Sequence, residues 1–414
     1  MTNDRHVAVI GAGIVGVSCC IFLQQHGAKV TLIDRLPPGD ACSFGNAGSL
    51  SWSSNVPIAV PGLLPKVPGW LFRNDGPLTI RWRHLPTLLP WLIRFLKAGN
   101  RKQFNLACEA LSALHSPALN LHKEMASQAE SSHMIHDCDF MHVYTSEREY
   151  QQSRYQWDIR TQYGATVETF NADEIQDLEP NLSTRYRRAV QIKEQGFTSD
   201  PSALVKSFAN AAKKRGASIL KSVVTGFDYA DNVISAVRTQ DQNLPIDAVV
   251  MAAGAWSMHL LKPLGINLPL EAERGYHITM NQPDIDFSRT IMETDAMMVA
   301  TPMQMGARFA GTVELATVDA PPDYKRADMI QRAAKRMFPE LTTQPQSRWM
   351  GCRPSLPDGL PVIDRAPGFD NLFLAFGNAH TGMIGGPNTG RIAAGMACGQ
   401  PVNIDTQAFR ASRF

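Results

Sequence analysis

The 414-residue chain is poor in three things, and each shortage excludes a class of protein. It has no excess of charge of one sign. Its 40 Lys and Arg face 38 Asp and Glu, and the resulting +2 argues against a nucleic-acid binder, which carries a domain-wide basic balance. It has no cysteine framework. The seven cysteines (Cys19, Cys20, Cys42, Cys108, Cys138, Cys352, Cys398) are odd in number and form no C-x-x-C pair, so neither a disulfide scaffold nor a metal site is expected. A reducing, cytoplasmic setting follows as the expectation. It has no long apolar run: the most apolar stretch, 85–96, is too short to span a bilayer and contains Pro86, Pro90 and Arg94. No secretory leader is expected, because a strand pattern already starts near His6. What is abundant is apolar material, 44% of residues, enough for a large core. At about 100–200 residues per domain, the length predicts two or three units.

The first segment reads as a βαβ unit. His6–Ile10 is a buried-strand run, Gly11-Ala12-Gly13-Ile14-Val15-Gly16 a glycine turn, Val17–His26 has helical spacing, and Lys29–Ile33 is a second strand ending at Asp34. Further along, one helix is predicted over roughly Glu109–Glu130. Another opens at Asp200-Pro201 and stops at Gly216, with an N-cap acid, Pro in the first turn and basic residues at the end. Asp247–Ala253 reads as a buried strand. Segment 274–311 alternates short apolar runs with turns and predicts an antiparallel sheet. Helix returns at Tyr324–Met337. The tail reads as a strand over Asn371–Phe376, a glycine turn and a helix over about Thr381–Cys398.

The glycine turn carries the chemistry most clearly. Gly11 permits the tight turn, Gly13 lets backbone approach a pyrophosphate, and Gly16 lets the helix pack on the strand. The helix N-terminus then offers N–H groups to phosphate. Asp34 stands where a carboxylate accepts ribose hydroxyls, and Arg35 beside it reads as a surface or adenine-stacking residue. FAD and NAD share this pattern. Three more segments favour FAD: Ser43-Phe-Gly45-Asn46-Ala47-Gly48-Ser49; Ala253-Gly254-Ala-Trp256 after a strand; and Gly377-Asn378 with Gly382-Met383 opening the last helix. That helix N-terminus can face the flavin edge where negative charge develops on reduction.

With these segments the chain resembles the D-amino-acid oxidase/glycine oxidase superfamily of FAD enzymes, and within it the D-amino-acid dehydrogenases. The resemblance runs nearly end to end. It rests on the N-terminal unit, FGNAGSLS at 44–51, Ala59–Lys66 with Trp70-Leu-Phe72 and Gly76-Pro77-Leu78, Leu264-Gly265-Ile266, Arg274-Gly275-Tyr276, Gly351-Cys-Arg353-Pro354 and Pro357-Asp358-Gly359-Leu-Pro361. The tail, GNAHTGMIGGPNTG, is similar to that of the hydroxyproline branch, which oxidises cis-4-hydroxy-D-proline. The resemblance implies an α/β fold: an FAD-binding Rossmann-type (glutathione-reductase-like) domain at 1–58, 155–265 and 345–414, and an antiparallel-sheet substrate domain at 59–154 and 266–344. It implies FAD as cofactor, and Val224 joins the set expected to contact it. The implied reaction is hydride transfer from the Cα of a D-amino or cyclic imino acid to flavin N5, with electrons passed to a quinone or other acceptor. D-proline and cis-4-hydroxy-D-proline are the favoured substrates. An oxygen-using oxidase of glycine or sarcosine, or the flavin subunit of a larger dehydrogenase, are the alternatives.

By the same resemblance, Arg353 is expected to clamp the substrate carboxylate, as a planar fork does best. Tyr276 is a second carboxylate or lid contact and Arg274 a weaker one. His380 contacts substrate or flavin, or is structural. His277 is expected on the face of its strand opposite Tyr276, and no general base is assigned. Some relatives attach flavin through a cysteine near the GxRP position; Cys352 is one residue out of that register, so FAD is expected to be non-covalent. Segment 43–108 holds eight basic residues, one acid (Asp75) and four of the seven tryptophans. It is read either as a membrane-surface segment on the inner face of the membrane or as a solvated basic face over a core.

Overall fold

The structure is a computed structural model that describes residues 5–62, 76 and 78–414. Lys66, Trp70–Phe72, Arg73, Asp75 and Pro77, which carry part of the resemblance and of the basic segment, lie outside the described residues. Two large sheets and a small one organise the chain.

The first sheet has six strands in the order Val362–Arg365, Leu372–Phe376, Ala248–Met251, His6–Ile10, Lys29–Asp34 and Ser218–Lys221. All its pairings are parallel except the one between its first two strands. Its strands read as continuous apolar runs because both faces are covered. Helix Ile14–Gln25 packs on one face, together with Pro201–Lys214 and the C-terminal helix Gly382–Ala397. Asp200 caps the middle one of these, accepting the Ala203 N–H at 3.0 Å. The three-stranded sheet (Val224–Ala230, Val233–Thr239, Asn243–Pro245) covers part of the opposite face.

The second large sheet runs Ser347–Ser355, Glu271–Asn281, Gly306–Leu315, Met298–Met303, Thr290–Glu293, Ile135–Tyr144, Arg188–Thr198 and Val167–Phe170, with Leu78–Ile80 paired to Gly306–Leu315. It is antiparallel apart from the Thr290–Glu293/Ile135–Tyr144 pair and the Leu78–Ile80 pair. Helix Lys325–Met337 buries its apolar stripe on the outer face, against Ile278, Met280 and Phe309. The opposite face looks toward the first sheet, and the site lies between them.

Two expectations need correction. The single helix over 109–130 is two, Arg101–His115 and Ala118–Gln128. Pro117 separates them, since a proline inside a helix lacks the N–H to continue it. The sheets also divide the chain elsewhere than at 155, 265 and 345. Val167–Phe170, Arg188–Thr198 and Ser347–Ser355 join the second sheet, while Leu111, Leu114, Leu121 and Met125 pack into the core of the first. Long-range strand pairing such as Ile135↔Thr198 leaves no mark on local composition. Among the described residues no helix is long and apolar enough to cross a membrane, and the seven cysteines are free.

Candidate active site

One cavity of about 880 Å³ runs from Asp34, past the glycine turn and the 43–49 loop, to Arg353, His380 and the start of the C-terminal helix. At its first end, Gly11 has φ +104°, and a Cβ there would lie 2.3 Å from the Ala252 carbonyl oxygen. Only glycine permits this approach of turn and strand. Asp34 accepts N–H bonds from Ala12 at 2.7 Å and Leu36 at 2.9 Å, which fix the carboxylate with lone pairs left for a ribose. Ala12 and Gly16 therefore act behind the cavity wall: Ala12 orients Asp34, and a Cβ on Gly16 would meet the Gly11 carbonyl at 1.8 Å. Gly13, Ile14, Val15, Val224, Ala253, Gly254 and Trp256 line the wall, with Arg35 lying 4.4 Å over the Trp256 ring.

The 43–49 loop is held from both sides. Ser43 Oγ accepts the Ile14 N–H at 3.0 Å, and Asn46 Oδ1 accepts the Gly48 N–H at 2.8 Å. Buried Arg308 donates to the carbonyls of Phe44 (2.9 Å) and Asn46 (2.8 Å). His277 stacks on Trp349 and bonds the Gly45 carbonyl through Nδ1 at 3.1 Å. Burial and nearby Arg308 push its pKa down to about 3, so the neutral ring donates this bond. Ser43, Asn46, Ala47 and Ser49 line the cavity, whereas Gly48 only turns the loop. Sequence reasoning missed Arg308. It lies on the face of its strand that meets the loop, which alternation alone does not single out.

At the far end, Gly377, Asn378, His380, Gly382 and Met383 bring the C-terminal helix N-terminus into the wall. Asn378 donates to Thr389 Oγ1 at 2.9 Å while its Oδ1 has no partner. His380 opens onto the cavity, and burial beneath the surrounding protein, with Arg353 and His115 near, lowers its pKa to about 4. It is neutral at physiological pH.

Arg353 lies opposite Glu273 on the neighbouring strand, and its Nη1 donates to the Thr312 carbonyl at 3.1 Å. Thr312 has φ +60° at a β-bulge, where the pairing shifts between Arg274 and Tyr276. Bulges re-aim backbone beside functional sites, and this one turns a carbonyl toward the guanidinium. A Cβ on Gly275 would fall 2.1 Å from Arg353 Nη2, so glycine clears the space that the fork occupies. Glu273 is buried, its Oε2 has no partner, and burial raises its pKa.

Strand parity is the reverse of that expected. Glu273 and Gly275 line the cavity and His277, on the same face, meets the 43–49 loop; Arg274 and Tyr276 turn their polar ends to Glu314 on the other face. Arg274 does not line the cavity: fully buried, it pairs with Glu314 at 3.3 Å and donates to the Ala320 carbonyl at 2.8 Å. Tyr276 borders the cavity, but its hydroxyl donates to Glu314 Oε2 at 2.6 Å and accepts the Asp323 N–H at 2.9 Å, which leaves it no free bond for a substrate carboxylate.

The cavity fits FAD. It is of ligand size, its walls join a pyrophosphate cradle to a helix N-terminus, and the wall residues Ser49, Trp256 and Asn378 each carry a buried polar atom without a protein partner. A dinucleotide laid along it, with a small substrate beside Arg353, is the layout of a flavoprotein oxidoreductase. Comparison with known families agrees: residues 6–396 match the model described as "DAO: FAD dependent oxidoreductase", and the chain belongs to that family. It is 40% identical over 421 residues to a protein named D-amino-acid oxidase from Bradyrhizobium diazoefficiens, covering all of both chains. It is 28% identical to one named D-amino acid dehydrogenase from Dechloromonas aromatica, covering 96% of this chain and 95% of that one. Among solved structures, glycine oxidase from Geobacillus kaustophilus superposes with a TM-score of 0.78 at 19% identity, over 99% and 100% of the two chains. L-proline dehydrogenase from P. horikoshii gives 0.78 at 19%, over 100% and 98%. At these identities the superpositions speak for the fold.

Proposed function

We propose that the chain oxidises D-amino acids, with primary or cyclic secondary amines, at the Cα–H bond. Arg353 is the observation that carries this reading. Its guanidinium lines the cavity, bonds one carbonyl and makes no ion pair within 4.0 Å among the described residues, the facing Glu273 carboxylate acting on it from farther off. Such a fork holds an α-carboxylate bidentately and so fixes the direction of the Cα–H bond. FAD, when bound, supplies the hydride acceptor and the onward path for electrons. The remaining work belongs to the chain. Neutral His380 offers the amine a hydrogen-bond partner without adding charge, and the apolar walls exclude water. Cys42 donates its S–H to the Cys352 carbonyl at 2.7 Å and burial pushes its pKa up to about 12, so this cavity thiol is no nucleophile, in keeping with non-covalent FAD.

The names of the relatives support a D-amino-acid substrate and differ on the acceptor. The tail residues 377–390 add D-proline and cis-4-hydroxy-D-proline to the class. For the acceptor, Trp82 is 67% exposed, and helix Leu85–Ala98 turns Leu89, Ile93 and Leu96 outward beside Arg94 and Lys97, whereas Trp91 is core. A quinone, or the anionic bilayer that carries one, would contact this face; protein that stays at the bottom of a liposome flotation gradient would remove the bilayer from the account. Anaerobic mixing of the holoprotein with D- and L-amino acids, proline isomers and sarcosine tests the reaction. Bleaching by D-isomers supports it, and bleaching by sarcosine or L-isomers alone refutes it.

A further inference from the structure

Arg353 is not the only guanidinium in the cavity. Arg160, from helix Glu147–Gln162, lines the far part of the same space with Phe140, His142, Ile192 and Met292. Its Nη1 donates to the Gln156 carbonyl at 3.2 Å, and its Cζ lies 4.8 Å from the Trp157 ring centroid. Among the described residues no carboxylate pairs with it. Burial lowers its pKa to about 10, so it stays charged at neutral pH while paying for lost hydration. His142 beside it supplies no counter-charge in either protonation state, and burial with Arg160 itself holds that ring neutral. A half-buried guanidinium that faces the cavity with one carbonyl and one ring but no counter-ion among the described residues calls for an anion.

With Arg160 placed over the strand of His142, whose ring it influences, strand spacing gives the length of that anion in outline. From the strand of Arg353 to that of His142 there are five strand-to-strand steps, and Arg353 already covers two of them by reaching the Thr312 carbonyl. The remaining three span about 14 Å at about 4.8 Å each. A guanidinium carbon sits about 4 Å from the carbon of a carboxylate it holds, so two such carboxylate carbons would stand about 6 Å apart, close to the ends of a five- or six-carbon chain.

We propose that the cavity is built for D-amino acids whose side chain ends in a second carboxylate, of the glutamate or 2-aminoadipate type, with Arg160 as the site of that distal group. The inference rests on the reading of Arg353 as the α-carboxylate clamp and narrows its substrate class. In anaerobic flavin reduction by the holoenzyme, the wild type should use D-glutamate or D-2-aminoadipate at least about tenfold better, in kcat/KM, than D-norvaline, which has the same length as D-glutamate and no second charge. In Arg160→Gln, the ratio of D-glutamate to D-norvaline kcat/KM should fall about ten- to a hundredfold, and Arg160→Lys should recover part of it. The wild-type ratio is read without any variant, so a variant that fails to fold does not protect the proposal. Preference of the wild type for D-norvaline, or a ratio unmoved in flavin-loaded Arg160→Gln, overturns it. Reduction by neutral D-amino acids and not by acidic ones sinks this inference alone; reduction by neither sinks the underlying reading too.

Discussion

Gly275→Ala is the sharpest test of the clamp, because it adds one methyl group and no charge. The strand backbone at 275 accepts alanine, as no left-handed φ occurs there. The new Cβ would lie 2.1 Å from Arg353 Nη2 and 2.3 Å from Cζ, against an ordinary contact of 3.4 Å or more. The guanidinium must therefore move by about 1.3 Å or the strands must part. Its bond to Thr312 at 3.1 Å cannot follow such a shift. Displacing a positioning group by about 1 Å costs roughly a hundredfold in rate, or about 2.7 kcal/mol of transition-state stabilisation. Stopped-flow reduction of the flavin by a D-amino acid should show this loss in kcat/KM, with FAD content unchanged because the atoms nearest the new methyl all belong to Arg353 and none to the glycine turn or the 43–49 loop. A variant within threefold of wild type would refute the placement of Arg353 as the clamp. Loss of FAD together with activity would refute the separation of cradle from clamp.

Other outcomes follow from the same geometry. Arg353→Lys keeps the charge but replaces a planar fork with a point donor, so KM should rise strongly in steady-state kinetics; an unchanged KM removes Arg353 from the site. Gly11→Ala puts a Cβ against the Ala252 carbonyl at a φ that disfavours side chains, so the purified variant should be colourless, and a yellow one would count against the cradle. Buried His115 and His122 each have a pKa lowered by burial to about 4. The unfolded chain, with histidines near 6.5, binds more protons in that interval, so stability is full above about pH 6.5 and falls toward about pH 4, by up to roughly 3 kcal/mol per histidine. His122 bonds the Met383 carbonyl at 2.7 Å. His122→Gln keeps a donor there and should flatten the decline in denaturant midpoint between about pH 7 and about pH 5; an unaltered slope would contradict the assignment.

How much of this was legible in the sequence depended on range. The cradle was readable because strand, turn, helix and Asp34 follow one another within one βαβ unit, and each glycine answers to a local steric need. The capped helix at 201–214 was readable for the same reason. Parity in the strand Glu271–Asn281 was not. Alternation separates Tyr276 from His277 but does not say which of them faces the cavity, and that depends on which side of the sheet helix Lys325–Met337 covers. The bulge at Thr312 was equally hidden, and it decides where Arg353 points. Arg160 and Arg308 reach the site from segments that carry no motif; only the fold brings them to the cavity.

The central claim is that the cavity presents a D-amino acid to the flavin through Arg353. Anaerobic stopped-flow reduction of the holoprotein by one D-amino acid, by its L-enantiomer and by the α-deuterated D-form measures it most directly. The D-isomer should bleach the flavin band, the L-isomer should leave it intact, and α-deuteration should slow the bleaching. Reduction without an isotope effect, or by both enantiomers alike, would contradict the account.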